Sequence, residues 1–75
     1  MASGQRDQSF PTLFTRLRRE AGLSQEQLAE KAGLSVHAIS SLECGDRRPR
    51  RYTLDCLAQA LDVSMEQRAV LAASA

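Results

Sequence analysis

Apolar residues along this chain recur at helical rather than strand spacing. Phe10, Leu13, Phe14 and Leu17 fall at i, i+3, i+4 and i+7, one stripe of an amphipathic helix. Ser9 stands where an N-cap is wanted, Pro11 fits a first turn in which its missing N–H goes unused, and Gly22 supplies a stop. Further on, Leu54, Leu57, Ala58 and Leu61 share a second such face, and Ala69 to Ala73 are good helix formers following Ser64. Met1 to Ser9 are small or polar and lack a period, which predicts a flexible arm over 1–9 and a folded domain over 10–75.

The start signals between these stripes repeat. Ser24 with Gln27 has the spacing of a capping box, and Leu23 with Leu28 that of a hydrophobic staple. Ser35 is a second N-cap with Leu34 and Ile39 as its staple, and Ser64 with Gln67 repeats the box. Gly33, able to take the left-handed conformation, separates the first two starts, so two short helices are joined by a turn of about three residues. Ala29 faces that turn and is small enough to let the next helix approach. That helix ends near Gly45. At about 100° per residue it turns Ile39 and Leu42 inward and His37, Ser40, Ser41 and Cys44 to the other side. The pattern predicts an all-α protein, a compact bundle of five short helices, with a helix-turn-helix over 25–44.

Composition narrows this further. Seventy-five residues make one domain with a modest core, and with Phe10, Phe14 and Tyr52 the only aromatics, that core must come mainly from Leu, Ile, Val and Ala. No apolar run reaches the roughly 18 residues of a membrane span, and the start lacks a basic-then-apolar signal, so a soluble, cytoplasmic protein is expected. Cys44, Cys56 and the single histidine, His37, have no metal-ligand spacing. Reduced thiols, no metal and no cofactor are therefore expected. Net charge is only +1, but Arg47, Arg48, Arg50 and Arg51 crowd one stretch against Asp46. Such a cluster is a solvated loop or, if neighbouring elements aim it, a phosphate-binding surface. No nucleophile with a base, no paired carboxylates and no Gly-rich phosphate loop is evident, so an enzyme lacks its minimum parts.

The segment from Leu17 to Ser35, then Ile39 to Gly45, Arg47 to Pro49 and Leu57 to Leu61, resembles the Cro/C1-type (XRE-type) helix-turn-helix regulators of bacteria and phages. The resemblance covers about Phe10 to Val63, with glycines, caps, staples and core positions in matching order. It implies a lambda-repressor-like DNA-binding domain whose second helix of the motif, over 36–44, enters the major groove of double-stranded DNA. It further implies that Gln25 contacts phosphate where free N–H groups and the helix dipole favour an anion. Ser35 is a second backbone contact by the same resemblance, as are Arg47, Arg48 and Arg50 in the following loop, with Arg51 a weaker choice. Arg18 and Glu43 match a family pair bridging the first helix to the third, and the helical wheel also turns Glu43 inward; a structural salt bridge and an exposed ion pair are the two readings. Arg6 offers a single basic contact from the arm.

One departure matters. Specific readers often begin this helix with Gln, Arg or Asn, which bond bidentately to purine edges. Here Val36 can meet a thymine methyl, while His37, Ser40 and Ser41 each offer one hydrogen bond, and His37 can equally be a bystander imidazole. Phosphate contacts should therefore supply much of the affinity, with base readout modest or water-mediated. Family members gain specificity by dimerising on DNA. The weakly polar patch around Val70 and Leu71 is either a homodimer surface or part of the core. The expected function is a sequence-specific transcriptional regulator, whole or as the N-terminal module of a longer protein, with no small-molecule ligand evident. The alternative is a protein-interaction module, an adaptor or antitoxin, binding through the last two helices.

Overall fold

A computed structural model describes residues 9–75. The arm expected over 1–9, with Arg6, lies outside the described residues apart from Ser9. Regular structure among the described residues is helical throughout: α1 (Phe10–Glu20), α2 (Gln25–Ala32), α3 (Val36–Cys44), α4 (Arg51–Leu61) and α5 (Met65–Ser74). α2 packs on α3 and α4, α1 on α3 and α5, and α4 on α5. Every helix sends at least one side chain to the centre, where Phe14, Leu28, Ile39, Leu42, Leu57 and Leu71 are fully buried. Burying each of these stabilises the fold by about 1.5–3 kcal/mol. Phe10 stacks on Phe14 with ring centroids 5.3 Å apart.

Three of the four connections use one chemistry. A left-handed residue ends a helix, an apolar residue folds back onto the core, and a serine caps the next helix. The triplets are Gly22-Leu23-Ser24, Gly33-Leu34-Ser35 and Asp62-Val63-Ser64, and Leu23, Leu34 and Val63 all pack against the core. The N–H groups of these three residues return to the carbonyls of Arg18, Ala29 and Ala58, closing each helix in a Schellman turn. Each serine hydroxyl then reaches forward: the Ser24, Ser35 and Ser64 oxygens accept from the N–H of Gln27, Ala38 and Gln67 at 3.0, 3.0 and 3.1 Å. Gln27 and Gln67 complete reciprocal capping boxes. The third triplet uses Asp62, the one non-glycine residue with positive φ (56°) among the described residues, where an L side chain is strained.

Two expectations change. Ser9 occupies the N-cap position of α1 with extended backbone, but its hydroxyl makes no cap; it bonds to the Thr12 hydroxyl at 3.2 Å instead. The Val70 and Leu71 patch divides, with Leu71 fully buried and Val70 49 % exposed, because adjacent helical residues point about 100° apart. Leu71 is the only buried residue of α5.

Candidate nucleic-acid interface

The helix-turn-helix is α2, the three residues Gly33, Leu34 and Ser35, and α3, with the boundaries that the capping pattern predicts. Ile39 and Leu42 are buried on the inner side of α3, and Ala29 of α2 is buried as well. The opposite side of α3 is left to solvent: Val36 (41 % exposed), His37 and Cys44 are exposed, and Ser40 and Ser41 are half-buried at its edges. This strip is polar or small, narrow, and lies on a helix whose back is fixed in the core. Such a helix can be presented to a groove without disturbing the fold.

What fixes the roll of α3 is a polar network rather than apolar packing alone. Arg18 Nε donates to Glu43 Oε2 at 2.5 Å and Arg18 Nη2 to Glu43 Oε1 at 3.3 Å, while Arg18 Nη1 donates to the Leu23 carbonyl at 2.8 Å. The two side chains are only 12 % and 9 % exposed, so this is the nearly buried bridge and not the exposed ion pair. Gln25 Nε2 joins it, donating to Glu43 Oε1 at 3.0 Å. One carboxylate thus holds the end of α1, the first turn of α2 and the last turn of α3 together. Burial pushes the Glu43 carboxyl up. The hydrogen bonds from Arg18 and Gln25, the charge of Arg18 and the nearby Thr15 hydroxyl outweigh it and hold the group below the usual glutamate range.

The Gln25 bond was not visible in the sequence, since only the pairing of Arg18 with Glu43 is suggested there. It leaves the glutamine with one amide hydrogen, its carbonyl oxygen and its backbone N–H in the open first turn of α2. Ser35 is exposed, its hydroxyl occupied as acceptor by the Ala38 N–H.

The connection from α3 to α4 breaks the pattern of the other three. Gly45 closes α3 at φ +82°, but no serine follows, and Arg50 takes the N-cap position of α4 without a side-chain cap. Arg47, Arg48, Arg50 and Arg51 are all exposed, and none forms an ion pair among the described residues. Arg47, Arg48 and Arg50 gather with Thr53 around a cleft of about 430 Å³ whose other wall is Ala38 and Leu42 of α3. The arginines therefore flank the solvent face of α3 rather than a remote surface. Thr53 is the residue that inspection of the charge cluster overlooks, because its place in the cleft follows from the first turn of α4. Cys44 and Cys56 are free, and no three His, Cys, Asp or Glu side chains converge among the described residues. No described helix is long and apolar enough to cross a membrane.

Two short helices joined by a three-residue turn, the second with a solvent-facing polar strip flanked by an arginine loop, define the class: a helix-turn-helix domain. Comparison with known proteins gives the same class. A family model described as a helix-turn-helix domain matches residues 12–71, and the chain belongs to that family. It is 55 % identical over 51 residues to an uncharacterized HTH-type transcriptional regulator, y4dJ, of Sinorhizobium fredii (strain NBRC 101917 / NGR234). That match spans 68 % of this chain and 66 % of the relative, slightly under two thirds of its length. No solved structure matches this chain.

Proposed function

We propose that this domain is a sequence-specific, double-stranded DNA-binding transcriptional regulator of the Cro/C1 type, acting in the cytoplasm without catalysis. The observation that carries the reading is the placement of three unpaired arginines, Arg47, Arg48 and Arg50, along one flank of an α3 face that is exposed and polar. In this reading α3 enters the major groove, where Val36, His37, Ser40 and Ser41 meet base edges. Gln25, Ser35, Arg47, Arg48 and Arg50 meet phosphates. The first-turn N–H groups of α4, which have no side-chain cap, add partial positive charge at the same place. Three arginines neutralising three phosphates correspond to a slope of log K against log salt of about −2.7 per domain. Two copies bound one helical turn apart would double the reading length.

Chemical-shift mapping by NMR with a duplex at rising salt tests site and mechanism together. Gln25, Ser35 to Ser41 and Arg47 to Arg51 should shift most, and binding should weaken steeply with salt. Arg50→Ala should weaken binding to all duplexes alike, whereas His37→Ala should change the preference among them. Shifts confined to α4 and α5 would favour the interaction-module reading, which the exposure of Tyr52 (75 %), Met65 (85 %) and Val70 supports. The absence of any shift at low salt would refute DNA binding outright.

A further inference from the structure

The arginine loop covers only one flank of α3. On the other flank, about 140° round the helix from Ala38, Glu43 forms a wall of a second groove, of about 600 Å³, that runs along α1. Its other walls are Pro11, Thr12, Thr15, Arg16, Arg19 and Glu20. The solvent face of α3 therefore lies between two surfaces bearing arginines, and only one of them coincides with the cluster seen in the sequence.

The α1 groove is continuous with the expected phosphate contact at Gln25, because Glu43, which lines it, also accepts the Gln25 amide. It carries two arginines and two carboxylates, and both carboxylates have arginine partners. Glu43 is neutralised by Arg18 beneath the surface. Arg19 is exposed and has no ion pair among the described residues. Arg16 meets Glu20 at only 3.8 Å, with both side chains more than half exposed, a pairing of little value that an incoming phosphate can displace. Thr12 and Thr15 add hydroxyls to the same walls. A flexible arginine pair beside hydroxyl donors suits the sugar-phosphate backbone and offers no planar site for a base.

We propose that the α1 groove is a second backbone-binding surface, in which Arg19 and Arg16 hold the phosphates flanking the one at Gln25, so that the domain grips DNA on both sides of α3. This rests on the DNA-binding reading above and extends it to a surface that neither the motif nor the arginine loop includes.

The test is fluorescence anisotropy of the full 75-residue chain with a labelled mixed-sequence duplex of about two helical turns, across a salt series. Arg16→Ala/Arg19→Ala is compared with Arg50→Ala and with Lys31→Ala, which removes an exposed charge of α2 outside the groove. The double variant should bind several-fold more weakly and lose about 0.9 in slope for each phosphate contact removed. Lys31→Ala should keep the slope of the unaltered chain. The Nε–Hε resonances of Arg16 and Arg19 should also shift on adding duplex. If the double variant matches Lys31→Ala in slope while Arg50→Ala loses it, the α1 surface is overturned and the loop reading stands. If the unaltered chain shows no salt-dependent binding, both fall.

Discussion

Removing the Glu43 side chain is the most informative perturbation of this fold. In Glu43→Ala, Arg18 loses the acceptor of two of its three hydrogen bonds and Gln25 loses its partner, at a position where the bridge is about nine-tenths buried. Stranding one member of a buried pair costs about 3–5 kcal/mol. The bond from Arg18 to the Leu23 carbonyl survives and the guanidinium keeps some access to water, so the lower end, about 3 kcal/mol, applies. A domain this small rarely has more than about 3–5 kcal/mol to lose. Urea unfolding followed by far-ultraviolet circular dichroism should therefore show Glu43→Ala unfolded or near its midpoint without denaturant. At a urea slope of about 1 kcal/mol/M the midpoint falls by about 3 M. Arg18→Met/Glu43→Leu should recover most of the loss, since it removes both charges. Acid titration gives an independent check. The folded carboxyl titrates below its unfolded value of about 4.3, so its contribution is complete above that pH and disappears as pH falls through the folded value. Glu43→Gln should lack this part of the acid limb. A loss below about 1 kcal/mol in Glu43→Ala would show that the bridge behaves as an exposed pair and refute the argument.

Three further outcomes are expected. Asp62→Gly should relieve the positive-φ strain and remove a negative charge from the C-terminal end of α4, raising stability by about 0.5 kcal/mol and the midpoint of thermal unfolding by about 2–4 °C; a fall in a thermal melt would count against the strain. Leu71→Ala should cost about 2–4 kcal/mol and release α5, whose amide protons should lose hydrogen-exchange protection before those of α2 and α3. Uniform loss of protection would mean that α5 is not a separable unit. His37→Gln should change stability by less than about 0.5 kcal/mol, because the side chain is exposed, yet add a bidentate reader worth about 1–3 kcal/mol for adenine over other bases. Selection from a randomised duplex pool checks it, and unchanged base preference would remove position 37 from the reading face.

The helices and their joints were legible because local rules and core packing agree at most of them. Gly33 turns, Leu34 packs and Ser35 caps, and each choice reinforces the next. Where legibility failed, a residue did a job that its type does not announce. Asp62 adopts the glycine conformation, so the third turn was read only from Ser64 onward. Ser9 has the right type and place, but its hydroxyl turns to the Thr12 side chain. At the site, Arg18 and Glu43 were legible as a pair, whereas the Gln25 bond and the α1 groove depend on side chains brought together across 18 or more residues, which no local pattern encodes.

These observations separate presentation from recognition. The roll of α3 is set from behind, by Ile39, Leu42 and the Glu43 network, none of which belongs to its solvent face. Among the described residues the face itself carries no side-chain hydrogen bond beyond the Ser35 cap at its start. On the proposed DNA-binding reading, substitutions at Val36, His37, Ser40 or Ser41 therefore change what is read without changing how the helix is held. A change at Glu43 must alter both, because the same carboxylate fixes α3 and orients Gln25 beside it. The stability of the motif and the chemistry of its solvent face thus reside in different side chains.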